Sequence, residues 1–129
     1  MLVKNVKKSL IYKISSEARK LPPEDELSEL FMEAMLFICN RCVPNKLVRQ
    51  KGNGKVYRNI EDGFFITYPD KPIFNDEKSH LMIDETLTYA VINEVAFLLT
   101  LNPLYRQLST EIIDDFIANY GKEIPQWRL

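Results

Sequence analysis

Residues 83–101, IDETLTYAVINEVAFLLTL, decide the fold that this sequence predicts. Most of the stretch is apolar, whereas Thr86, Asn93 and Thr100 are seven residues apart and therefore share one narrow stripe of a helix. A helix that is apolar on nearly all sides has to be covered by several neighbours. The sequence therefore predicts a central helix, which begins at acidic residues and ends before Pro103.

Two amphipathic helices are predicted before the central one. Residues 2–21 carry apolar side chains at three- and four-residue steps, the period of an α-helix. Pro22 and Pro23 end this helix, because the residue before a proline is disfavoured in helical conformation. Pro23 suits the first turn of a second helix, which continues to about Cys42. So short a break usually joins two helices that pack as a pair.

An inserted β element is predicted over residues 46–74. The segments KLVRQ and KVYRNI flank the tripeptide GNG at 52–54, a typical hairpin turn. The tripeptide EDG at 61–63 then leads into the aromatic run FFITY at 64–68. We expect a β-hairpin or a short three-stranded meander in this part of the chain.

After the central helix, a short turn at 104–107 and a cap at 109–111 predict a last helix that ends before Gly121. Residues 122–129, KEIPQWRL, follow as a C-terminal tail. The 129 residues are therefore predicted to form a single, mainly α domain, a four- to five-helix bundle with the β element inserted.

The composition excludes several classes of protein. A net charge of −1 argues against a general nucleic-acid binder. No apolar run reaches the roughly 18 residues of a membrane span, and the first residues do not resemble a secretion signal. Two cysteines are too few for a disulfide framework, so we expect a reducing, cytoplasmic setting and no membrane partner.

No set of residues predicts catalysis. Cys39 and Cys42 form a CxxC motif at the C-terminal end of a predicted helix, where the helix dipole does not stabilise a thiolate. A zinc site would need two more ligands, and His80 is the only histidine. Both cysteines are therefore predicted to be core residues. We predict no catalytic residue, no metal site and no cofactor, and we expect that the protein is not an enzyme.

The first predicted helix is strongly basic. It carries six basic residues and one acidic residue, a net +5, whereas the rest of the chain carries about −6. Such a charge run is either a solvated face or a contact with an acidic partner, a protein or a nucleic acid. The candidate contact residues of this basic face are Lys4, Lys7, Lys8 and Lys13.

The β element and the tail carry more apolar surface than short segments usually cover by themselves. Exposed apolar groups of this kind mark interfaces, unless both segments fold back on their own bundle. The candidate residues of an oligomer interface are Tyr57, Phe64, Phe65, Tyr68, Ile124, Trp127 and Leu129.

The segment IDETLTYAVINEVAFLLTLNPLYRQ, preceded by a predicted hairpin, resembles the central region of the head-to-tail connector proteins of tailed bacteriophages. The resemblance covers roughly residues 82–106 and the general layout. It implies a structural virion protein, assembled in the host cytoplasm, which forms a homo-oligomeric ring as an adaptor or neck. Its partners would then be the portal, the tail or neighbouring neck proteins, and in passing the DNA in the ring lumen.

A second hypothesis follows from the charge pattern. The chain would then be an intracellular helical binding or regulatory module, whose basic first helix contacts an acidic partner.

Overall fold

The computed structural model describes residues 1–17, 20–52, 54–61 and 63–120. Over these ranges the chain forms a helical bundle with a small inserted antiparallel sheet, which confirms the predicted fold class. None of the described helices is long and apolar enough to cross a lipid bilayer. The elements are α1 (Val3–Ile14), α2 (Glu24–Cys39), β1 (Val48–Gln50), β2 (Val56–Asn59), β3 (Phe64–Thr67), α3 (Thr88–Thr100) and α4 (Pro103–Tyr120).

The predicted central helix is α3. It begins after a 3-10 turn, Glu85–Leu87, and each of the other three helices packs against it. Its side chains from Ala90 to Ala96 are buried, including the polar Asn93 and Glu94. Because helices cover α3 on several sides, the main hydrophobic core forms around this helix.

The first helix is shorter than predicted. α1 ends at Ile14 and a 3-10 turn follows at Ser15–Glu17, so the expected continuation to Leu21 was wrong. The Ser15 hydroxyl donates a hydrogen bond to the Tyr12 carbonyl at 2.8 Å. Serine side chains compete in this way for backbone partners, and two consecutive serines favour the end of a helix.

The last helix is longer than predicted. The side chain of Asn102 accepts a hydrogen bond from the Leu104 amide at 3.1 Å, and Pro103 occupies the first helical position. The expected cap at 109–111 was wrong, because the Ser109 hydroxyl lies inside α4 and donates to the Ala90 carbonyl of α3 at 2.9 Å. Ser109 therefore joins two helices instead of starting one.

The three strands are arranged in the order β1-β3-β2, and both pairings are antiparallel. The predicted hairpin across the GNG turn was wrong, since β1 and β2 lie on opposite sides of β3. The hairpin is the one formed by β2 and β3 around the predicted turn at 61–63. A second, smaller core lies between this sheet and the end of α2, and contains Cys39, Val43, Leu47, Val48 and Ile66.

Two polar side chains attach the sheet to the bundle. Arg58 of β2 donates to the carbonyls of Cys39 and Cys42, at 3.0 and 3.1 Å, which satisfies acceptors at the end of α2. The buried carboxylate of Asp84 accepts hydrogen bonds from the amides of Asn45 and Lys46, at 2.8 and 2.7 Å. Because Asp84 directly precedes the turn into α3, the sheet is attached at the end where α3 begins.

Leu101 ends α3 in a left-handed conformation, with a φ of 59°, and its side chain is 69% exposed. Glycine adopts this conformation without the steric cost that a Cβ atom brings. We expect Leu101→Gly to raise the free energy of unfolding by roughly 0.5–1 kcal/mol in urea denaturation. Leu104→Gly, an exposed position inside α4, is the control and should lower it by about 1 kcal/mol. A destabilised Leu101→Gly variant would contradict this account.

Candidate interaction surfaces

One exposed aromatic surface lies on the inserted sheet. Tyr57 and Tyr68 pack edge to face, with ring centroids 5.0 Å apart and an interplanar angle of 80°. Tyr68 is exposed, and Tyr57 is half-buried. We name this pair the sheet surface. Aromatic residues placed in this way are typical of protein contacts.

The other predicted interface residues are distributed differently. Phe65 is buried within its own subunit, and Phe64 is half-buried against the smaller core, so neither side chain is fully presented to a partner. β3 is the central strand of the sheet, and Phe65, Ile66 and Thr67 are all buried, so this strand has no fully exposed face. Ile124, Trp127 and Leu129 of the predicted tail lie outside the described residues.

A second exposed apolar surface lies at the turn between α3 and α4. Leu101 and Leu104 both expose more than half of their side chains there. We name this pair the corner surface. It lies at the end of α3, whereas the sheet is attached where α3 begins. Sequence reasoning did not single out the corner surface, because two leucines beside an Asn-Pro turn are equally compatible with a buried helix end.

The predicted basic face does lie along one helix, α1, but its four lysines differ in surroundings. Lys4 and Lys8 are exposed. Lys7 forms an ion pair with Glu24 of α2 at 3.2 Å. Lys13 is half-buried, with its ammonium group 5.9 Å from the centre of the Tyr105 ring. Lys4, Lys8 and Lys13 have no carboxylate partner among the described residues.

A groove runs between α1 and the start of α3. Its volume is about 830 Å³, and its lining residues are Lys8, Ser9, Tyr12, Lys13, Ser15, Ser16 and Tyr89. Tyr12 is 84% exposed and Tyr89 is 49% exposed, so both phenol rings are presented to solvent. Sequence reasoning identified the two lysines of this groove but neither tyrosine. Tyr12 and Tyr89 come from distant parts of the chain, so no local pattern predicts that they meet.

A buried charge lies between α3 and α4. The carboxylate of Glu94 is 1% exposed and accepts two hydrogen bonds from the guanidinium group of Arg106, at 3.1 and 2.5 Å. This carboxylate raises the pKa of Arg106. The guanidinium group also lies 4.2 Å from the ring centre of Phe97 and 4.7 Å from that of Phe37. Such a group is structural, since both carboxylate oxygens are engaged within the subunit.

Both cysteines are buried, which confirms their predicted place in the core. Burial raises the pKa of the Cys39 thiol and of the Cys42 thiol to about 12, because a thiolate is poorly solvated by apolar neighbours. A redox or ligand role needs an accessible thiolate, so this environment favours a structural role. Among the described residues, no group of three or more His, Cys, Asp and Glu side chains is placed to hold a metal ion.

Comparisons with protein-family models, curated proteins and solved structures found no match to this chain.

Arg106→Met should be more destabilising than Glu94→Gln. The first change leaves a buried carboxylate without its partner, and we expect the free energy of unfolding to fall by roughly 3 kcal/mol. The second removes the buried charge, and Arg106, whose side chain is 42% exposed, stays hydrated, so the loss should be below about 2 kcal/mol. Urea denaturation measures both values.

Arg41→Met is the matched control for this comparison. Arg41 also stacks on Phe37, with 4.3 Å between its guanidinium carbon and the ring centre, but it is exposed and does not bind Glu94. Its replacement should change stability by no more than about 0.5 kcal/mol. Equal losses for Glu94→Gln and Arg106→Met would show that the buried carboxylate does not depend on its partner.

The buried thiols predict a loss of stability in alkaline solution. The folded state raises the thiol pKa from its ordinary value of 9.0 to about 12, so the stabilisation is complete below pH 9. It is lost as the pH rises toward 12, because only the unfolded chain releases the thiol protons. Between pH 8 and pH 10.5, the Cys39→Ala/Cys42→Ala variant should therefore lose less stability than the unmodified chain. Urea denaturation at each pH measures the free energy of unfolding, and an equal loss for both proteins over this range would contradict the prediction.

Proposed function

We propose that this chain is a non-catalytic assembly protein that forms a closed ring, and that the ring is a head-to-tail connector of a tailed-phage particle. One observation supports the ring: the sheet surface and the corner surface both present apolar groups to solvent, they differ in chemistry, and they belong to different parts of the subunit, the inserted sheet and the turn after α3. The assignment to a virion, with the portal, the tail or neck proteins as neighbours, rests on the sequence resemblance.

The two surfaces suit a head-to-tail contact between copies of the chain. In an isologous dimer one surface meets the same surface of the partner, whereas a ring needs two different surfaces that meet each other. The Tyr57–Tyr68 pair supplies aromatic area, and Leu101 with Leu104 supplies aliphatic area. Contact between them would remove from water the apolar area that each subunit exposes on these two surfaces.

Complementation between two variants tests the head-to-tail contact. Tyr57→Ser/Tyr68→Ser alters the sheet surface, and Leu101→Asn/Leu104→Ser alters the corner surface. Asn is chosen because it tolerates the left-handed conformation at position 101. We expect the unmodified chain to sediment as a particle of many subunits, and each variant to sediment as a monomer, because its contact weakens about tenfold or more.

A mixture of the two variants should then form heterodimers, since one intact sheet surface meets one intact corner surface. Ile117→Ser, at another exposed apolar position, is the control and should assemble normally. Electron micrographs of the unmodified particles should show closed rings with a central channel. A chain that stays monomeric at every concentration would overturn the proposal and favour the helical binding module.

A further inference from the structure

We propose that the groove between α1 and α3 binds a segment of single-stranded nucleic acid, with Lys8 and Lys13 on its phosphates and Tyr12 and Tyr89 stacked on its bases. This site does not depend on the ring, because it uses none of the residues of the sheet surface or the corner surface.

The charge of the groove selects an anionic ligand. Two of its seven lining residues are lysines, and among the described residues none of the lining side chains is acidic. Glu17 and Glu85, the acidic residues nearest in sequence to the lining residues, already have partners elsewhere. Glu17 accepts a hydrogen bond from the Asn102 side chain at 2.9 Å, and Glu85 is paired with the amino group of Met1. The positive charge of Lys8 and Lys13 is therefore not neutralised inside the groove.

The aromatic residues distinguish a nucleic acid from other anions. Tyr12, at 84% exposure, has few contacts within the subunit, and Tyr89 lies across the groove on α3. Single-stranded nucleic acids bind to surfaces that combine basic side chains for the backbone with aromatic rings for the bases. The Ser9 hydroxyl, in the same lining, adds a donor for a phosphate oxygen. A simple acidic peptide would use the lysines but would gain little from two exposed phenol rings.

A duplex fits these features less well than a single strand does. Bases within a duplex are stacked on each other, so the two tyrosines could not reach their faces. The volume of about 830 Å³ is open and wide enough for a short run of nucleotides. The groove therefore suits two or three unstacked nucleotides and not the regular surface of a double helix.

Fluorescence anisotropy with labelled dT12 tests the site. Lys8→Gln/Lys13→Gln should lower the affinity at least tenfold, and should reduce the slope of log K against log salt by about 1.4, the value for two phosphate contacts on a single strand. Tyr12→Ala/Tyr89→Ala should lower the affinity about tenfold or more and leave the salt slope unchanged, because stacking releases no counterions. Thermal melting of each variant checks that the loss of affinity does not result from unfolding.

Lys46→Gln/Lys51→Gln is the matched control, since it removes the same charge from exposed positions beside the sheet. This variant should bind dT12 nearly as well as the unmodified chain does, and duplex DNA should bind the unmodified chain more weakly than dT12. No binding of dT12 at 50 mM salt would overturn the proposal, and so would equal losses in the groove and control variants. A polyglutamate peptide of equal charge is the competitor. If it displaces dT12, and if the tyrosine changes do not alter the affinity for dT12, the groove is a docking surface for an acidic protein instead.

Discussion

A single buried carboxylate constrains how three of the four described helices meet. Glu94 lies on the helix that the others cover, where an unpaired charge would cost several kcal/mol. Arg106 supplies its partner from α4, which fixes both the rotation of α4 and its position along α3. Because the same guanidinium group stacks on Phe37 of α2 and Phe97 of α3, the ion pair also positions α2. The directional hydrogen bonds of this pair add to the positioning that apolar packing provides.

The inserted sheet is held by the same kind of constraint, on a smaller scale. Three short strands are not expected to be stable by themselves. The Arg58 side chain binds carbonyls at the end of α2, and the Asp84 carboxylate binds amides just before β1. Each satisfies polar groups that burial would otherwise leave unpaired. The sheet can therefore hold Tyr57 and Tyr68 in a fixed orientation, which is what a contact surface needs.

The features that could be predicted are those that depend on local chemistry. The period of the apolar residues located α3, and prolines located the breaks before α2 and α4. Two of the errors arose where a distant partner decides the outcome. Ser109 is a good cap in isolation, but α3 offers it a carbonyl. In the same way β3 pairs with both other strands, which a hairpin signal between β1 and β2 does not foresee. Of the groove, the lysines were predictable from charge, whereas the tyrosines meet only in the folded chain.

Leu101 connects stability with the proposed contacts. Its backbone adopts a conformation that disfavours any Cβ atom, and its side chain leaves most of its apolar area in water. Both are costs to the isolated subunit, and a glycine at this position would avoid both. A neighbouring subunit that covered Leu101 would recover the cost of exposure, although not the backbone strain. The Asn102–Glu17 hydrogen bond also ties this corner to the end of α1, next to the serines of the groove, so a partner bound at the corner would lie beside the groove.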